Sequence, residues 1–319
     1  MMPKLGEAER SFARKRLPGL ILGLSLLALS TLLSHPGRLE EPFTTKQFFG
    51  LCSALAFFLL SLSGWGSLLA RSARLRTFFP KILLGSLSLA SFSGIVGNLG
   101  LFGPPYRLLF LGVLLIGSAW SFPGGVGLHL KAGFRKLPLA YWLVLLFTFS
   151  VFVLLFRTGT FFPTLRPQSD AFAFDVFAPW WWWESGRISF TPSSLHLLLA
   201  SYWNFLYVWV FPLLGTEGNS RIGAIVFCQL LHLLLGFGGS VLGVYSILRK
   251  LKVPRDWCIT SALYGATIFP ILWTAWTAKN DFGSIFWLIG SLYFLSINRT
   301  CFRSEEHTSE LQSRLHLVC

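Results

Sequence analysis

LHLLLASYWNFLYVWVFPLL, residues 195–214, is the stretch on which the architecture turns. It has about the length that a helix needs to cross the hydrocarbon of a bilayer. Yet it carries His196, Asn204 and Pro212 and is interrupted by aromatic side chains. One long apolar run later the chain reads Arg249, Lys250, Lys252 and Arg255. If 195–214 crossed, this basic cluster would fall on the opposite side from every other basic segment, against the bias of Lys and Arg toward cytoplasmic loops. One run must therefore not span. A segment from Ser194 to Leu214 that lies along the outer leaflet as an amphipathic helix, or dips into it as a re-entrant one, restores the charge rule everywhere.

The rest of the chain fits that frame. Its 319 residues are 53% hydrophobic and only 13% charged, with a mean hydropathy of +0.61. Soluble domains carry about a quarter charged residues, so a cytosolic enzyme, a secreted disulfide module and a disordered tail are excluded. A net charge of +14 would suggest nucleic acid in a soluble protein. In this chain Lys and Arg sit between apolar runs, where orientation in the membrane accounts for them, and no nucleic-acid partner is read. Cys52, Cys228 and Cys258 lie in or beside apolar runs without CxxC spacing and are read as packing residues. The basic start is followed by an apolar run from Leu17 without a small-residue cleavage pattern, which predicts an uncleaved first span with a cytoplasmic amino terminus.

The expectation is an all-α, polytopic membrane protein of about eight transmembrane helices plus the outer amphipathic or re-entrant helix. Spans are expected near 17–34, 47–70, 82–101, 107–122, 138–156, 221–248, 258–277 and 282–297. Basic residues Arg71, Arg74, Arg76, Lys81, Lys131, Arg135 and Lys136 mark inner segments. The stretch from Arg157 to Thr191 then faces outward, as do Glu184, Lys279 and Asp281. The chain divides into a four-span region, 1–137, and a membrane core, 138–302, with an extracytoplasmic loop at 157–193. Gly19/Gly23 and Gly239/Gly243 have the spacing that lets helices pack closely.

Within the outer loop, SDAFAFDVFAPWWWWESGRI (169–188) carries the chemistry. Two carboxylates, an aromatic block, an acid and an arginine supply a base, a cation and apolar walls for a polar substrate borne on a lipid. The competing reading is a solvated loop whose tryptophans anchor at the headgroup level, and for Trp180 to Trp183 that reading is preferred. His196 and His232 are read as packing or interfacial residues.

The order of these features resembles the lipid-linked-sugar glycosyltransferases of the C-type fold, and among them the bacterial relatives of dolichyl-phosphate-mannose protein mannosyltransferases. The likeness is carried by Asp170 early in the outer loop, the WxxxGRI-like element from Trp182 to Ile188, the basic turn Arg249 to Arg255 and a second acid, Asp281. It covers roughly residues 138–297. The four preceding spans lie outside the shared core, and the spans that should follow are missing. What the resemblance implies is inverting transfer of a hexose or pentose from a polyprenyl-phosphate donor to a glycan, lipid or protein acceptor, outside the plasma (inner) membrane. Asp170 would be the base, and Asp281 would orient the acceptor or help Asp170 hold Mg²⁺ or Mn²⁺. Arg187 and Lys279 would bind the phosphate, and Asp175 would line the substrate site. A transporter or flippase of lipid-linked glycans, or a noncatalytic membrane protein, are the alternatives. A transporter is expected to hold its charges at midplane in broken helices.

From Arg303 the pattern changes abruptly: RSEEHTSELQS (303–313) resembles the translation of a common sequencing-library adapter. Residues 303–319 are therefore expected to be non-native, and the natural protein to continue beyond Phe302.

Overall fold

The computed structural model describes residues 5–33, 45–72, 77–121, 176–189, 202–215, 220–267 and 281–297, and among these every regular element is helical. In order they are α1 (Leu5–Leu33), α2 (Thr45–Ser72), α3 (Phe78–Asn98), α4 (Arg107–Ser121), α5 (Phe177–Ser185), α6 (Asn204–Tyr207), α7 (Val210–Leu214), α8 (Ser220–Leu231), α9 (Gly238–Lys250), α10 (Arg255–Thr267) and α11 (Asp281–Ile297). A π-helical segment, His232–Phe237, joins α8 to α9 without a break. Among the described residues four helices are long and apolar enough to cross a membrane: Arg16–Leu33, Lys46–Arg71, Phe78–Asn98 and Gly223–Lys250. Each coincides with an expected span. The spans expected at 138–156 and over much of 258–277 lie outside the described residues, as do 190–201 and 303–319.

The outer surface of the helices is apolar. Leu17, Ile21, Leu32, Leu108, Ile116 and Leu288 are exposed, an arrangement that water penalises and lipid tails do not. Packing inside relies on small residues that let backbones approach. A Cβ on Gly66 would meet the Lys81 carbonyl, and one on Gly85 the Leu62 carbonyl, so α2 and α3 touch along their backbones in antiparallel register.

Helix directions follow from similar contacts. Gly236 lies against Phe282, Gly239 against Phe286 and Gly243 against Ile289, so the 220–250 helix and α11 run parallel. The chain must accordingly return to the starting end between Lys250 and Asp281, and α10 begins that return. Thr77 shares a 2.7 Å hydrogen bond with Tyr293, and Gly290 packs on Leu83, which sets α3 antiparallel to α11. The end that gathers Arg71, Lys81, Arg249 and Lys250 is thus one end of the bundle. The turn at 99–106, the end of α7 and the start of α11 belong to the other. These relative directions agree with those expected from the loop charges.

Candidate functional site

The segment between α5 and α8 explains how this second end is built. Among the described residues Asn204–Leu214 is a shorter apolar helical stretch, divided into α6 and α7. It is also buried on every side: from Trp203 to Leu214 all residues but Phe205 are buried. Trp209 Nε1 donates to the Leu89 carbonyl at 3.2 Å and the Tyr202 hydroxyl to the Leu87 carbonyl at 3.3 Å. At 1.5 Å per residue, both acceptors lie about 14–16 Å along α3 from its end at Asn98. At the other extreme Arg107 Nε donates to the Pro212 carbonyl at 2.8 Å, at the start of α4. The segment therefore rises from the interior to the bundle end. The segment expected as an amphipathic or re-entrant helix, Ser194 to Leu214, is described only from Tyr202 onward, and that part is packed inside the bundle.

The stretch expected to be a loop is partly helical. Residues 177–185 form α5, and Gly186 closes it at φ +78°, a left-handed cap that a side chain rarely tolerates. The preference for headgroup-anchoring tryptophans is corrected at two positions. Trp182 and Trp183 are core residues: Trp182 stacks on Phe205 at 5.3 Å and Trp183 meets Phe110 edge-on at 5.3 Å. Trp180 and Trp181 stay half-buried. Four consecutive tryptophans on a helix point about 100° apart, so they cannot share one environment.

The residues after α5 are tied to the turn after α3. The Phe102 N–H donates to the Gly186 carbonyl at 2.9 Å, and the Ile188 N–H to the Gly97 carbonyl at 3.0 Å. Ser185 Oγ donates to the Arg187 carbonyl at 2.9 Å, and Trp181 Nε1 to Ser189 Oγ at 3.0 Å. Arg187 is thus fixed at its backbone by anchored neighbours while its side chain is exposed, as is that of Glu184. This supplies a physical role for each letter of the GRI element: a cap, a presented cation and a packed anchor.

α11 reaches the same assembly through 202–205. Tyr202 contacts Trp287 at 5.9 Å and Phe205 at 5.7 Å, and Trp203 lies where a Cβ on Gly283 would stand. Arg187 and the start of α11 at Asp281 are therefore linked through one buried aromatic segment. Asp170, Asp175 and Lys279 lie outside the described residues, as does the side chain of Asp281. Among the described residues no three His, Cys, Asp or Glu side chains gather to hold a metal; Asp170 and the Asp281 side chain, the pair considered for Mg²⁺ or Mn²⁺, lie outside them.

No known protein family, curated protein or solved structure matches the chain.

A buried polar group was not anticipated. Asn204, Tyr207, Gln229 and His232 are all buried, and the Tyr207 hydroxyl lies 3.3 Å from His232 Nδ1. His232 opens the π-helical segment. The 3.6-residue period gives no warning of such a segment, because the bulge shifts the buried face by about one residue.

Proposed function

We propose that the chain is part of a membrane glycosyltransferase that moves a sugar from a polyprenyl-phosphate donor to an extracytoplasmic acceptor. What supports the reading is the gathering, toward the end opposite the basic cluster, of an exposed and backbone-anchored Arg187, the start of α11 and the buried helical segment from Trp203 to Leu214. The bias of Arg and Lys toward the cytoplasm gives that end an extracytoplasmic address, with the amino terminus inside and the protein in the plasma (inner) membrane. An apolar shell with a cation at its rim suits a substrate whose tail stays in lipid while its phosphate reaches water.

In this mechanism Asp170 takes the proton of the acceptor hydroxyl. The acceptor oxygen bonds to the anomeric carbon from the face opposite the leaving group, and the bond from that carbon to the phosphate oxygen breaks. Polyprenyl phosphate departs with the electron pair, steadied by Arg187 and Lys279. Asp281 orients the acceptor and Asp175 lines the sugar site. Phosphate is already a good leaving group, so a base and positive charge meet the main demands of the step.

One observation favours the transporter reading instead. A broken helix beside a π-helical segment with buried Asn204, Gln229 and His232 is the kind of element in which transporters place polar sites. The two readings part in vesicles loaded with a radiolabelled polyprenyl-phosphate sugar. A glycosyltransferase forms a new glycosidic bond to an acceptor and releases polyprenyl phosphate; a transporter moves the intact donor across the bilayer and releases none.

A further inference from the structure

The basic turn that follows α9 takes no part in sugar transfer and lies at the opposite end of the bundle. The Lys252 N–H donates to the Arg249 carbonyl at 3.2 Å and the Val253 N–H to the Leu248 carbonyl at 3.1 Å. These are the paired bonds of a helix that ends on a left-handed residue, a position that glycine ordinarily fills. Here it is filled by Lys252, at φ 62°, the only residue other than glycine with a positive φ among the described residues. A side chain makes that conformation costlier than glycine would, and its retention points to a use for the side chain.

The frame around Lys252 is fixed. Arg249 Nη1 donates to the Val253 carbonyl at 3.4 Å, and the Cys258 N–H to the Pro254 carbonyl at 3.1 Å, so α10 starts directly after the turn. Arg249, Lys250, Lys252 and Arg255 are exposed on it, and the stretch holds one carboxylate, Asp256. Leu251 and Trp257 stand beside these cations, 63% and 66% exposed. The turn thus joins charge that attracts an anionic headgroup to apolar groups suited to the boundary of the acyl chains. Its level in the bundle agrees. Gly243 packs on Ile289, and at 1.5 Å per residue Lys250 lies about 10 Å and Ile297 about 12 Å beyond that contact. Two parallel apolar helices therefore end together at the turn.

We propose that the turn from Arg249 to Trp257 binds the headgroup of an anionic phospholipid, with Lys250 and Lys252 pairing with its phosphate and Leu251 and Trp257 lying against its chains. The site is independent of sugar transfer.

The test uses the full chain in a non-ionic detergent at low salt, with dioleoyl phosphatidylglycerol, dioleoyl phosphatidylcholine and inorganic phosphate as probes. Thermophoresis reads binding, and thermal unfolding without added lipid reads stability. The wild type should prefer phosphatidylglycerol, and inorganic phosphate at equal concentration should not displace it. Lys252→Gly removes the strain together with the charge. It should unfold at the wild-type temperature or above and bind phosphatidylglycerol about fivefold more weakly, the worth of one cation near an anionic surface. Lys250→Gln combined with Lys252→Gly should lose about tenfold or more. Lys46→Gln removes an exposed cation at the other end of the bundle and should change nothing. Undiminished phosphatidylglycerol binding by the double variant, or an equal loss in Lys46→Gln, overturns the assignment, as does a wild type without lipid preference. Displacement by inorganic phosphate would reduce the turn to a site for free phosphate and overturn the lipid assignment.

Discussion

The Ile188 N–H donates to the Gly97 carbonyl across 3.0 Å, and the Ile188 side chain lies where a Cβ on Gly97 would be. One glycine thus supplies both the acceptor and the space that fix the end of the WxxxGRI element. A Cβ there would stand 2.4 Å from the Phe102 ring and 2.8 Å from Ile188. Gly97→Ala should therefore destabilise the protein by about 1–3 kcal/mol, as overpacking does in tight interiors. Gly112→Ala meets nothing within 4 Å and should be neutral or slightly stabilising, as expected for alanine replacing glycine in a helix. Thermal unfolding in one detergent, with the two variants side by side, decides it. Equal melting temperatures would show that the contact carries no strain.

Orientation is tested by single cysteines. One at Glu184, whose side chain is exposed, should react with an impermeant maleimide from outside intact cells, and one at Val253, beside the basic turn, should not. The reverse labelling would place the Arg187 end in the cytoplasm and remove the shared outer site.

The spacing of Gly239 and Gly243 admits a role between copies of the chain or within one. The Gly239 face is filled by the Phe286 ring, and the Gly243 face by Phe79 and Ile289. Gly239→Leu should accordingly lower thermal stability without changing the mass measured by light scattering in detergent. A change of oligomeric state at unchanged stability would return the pair to an intermolecular role.

Much of the helical frame was legible because a membrane constrains sequence in only a few ways. The spans expected at 47–70 and 82–101 read from length and apolarity alone and fall on Lys46–Arg71 and Phe78–Asn98, whereas the clash between 195–214 and Arg249 to Arg255 bears on a segment described only from Tyr202 onward. The details that were missed are those in which neighbours override the local pattern. Nothing in WWWW says which indole faces Phe110 and which faces Phe205, since all four have the same hydropathy. His232 reads as a packing residue until the bulge that begins at its own position sets it beside Tyr207. The WxxxGRI-like element marked Gly186 and Ile188 without giving them a role, because the partner that fixes Ile188, the Gly97 carbonyl, lies in a helix with no polar signal to mark it.

Arg187 is exposed and its backbone is held by neighbours, so its side chain can be changed without loss of packing. Arg187→Gln should fold like the wild type and raise the KM for a polyprenyl-phosphate sugar by about tenfold, the usual worth of a charge-assisted contact to phosphate. An unchanged KM would take Arg187 out of donor binding.

The measurement that bears most directly on the account is sugar transfer from a radiolabelled polyprenyl-phosphate sugar, by the protein in membranes, with Asp170→Asn compared with the wild type at equal expression. The substitution keeps the shape of the side chain and removes the proton acceptor, whose contribution to general-base catalysis is commonly about 10² to 10⁴ in rate. The account predicts a loss of that size with donor binding retained, because cations hold the phosphate. Transfer by Asp170→Asn at the wild-type rate would contradict it and move the base to Asp175, and no transfer by the wild type across a panel of donors would leave the transporter reading in its place.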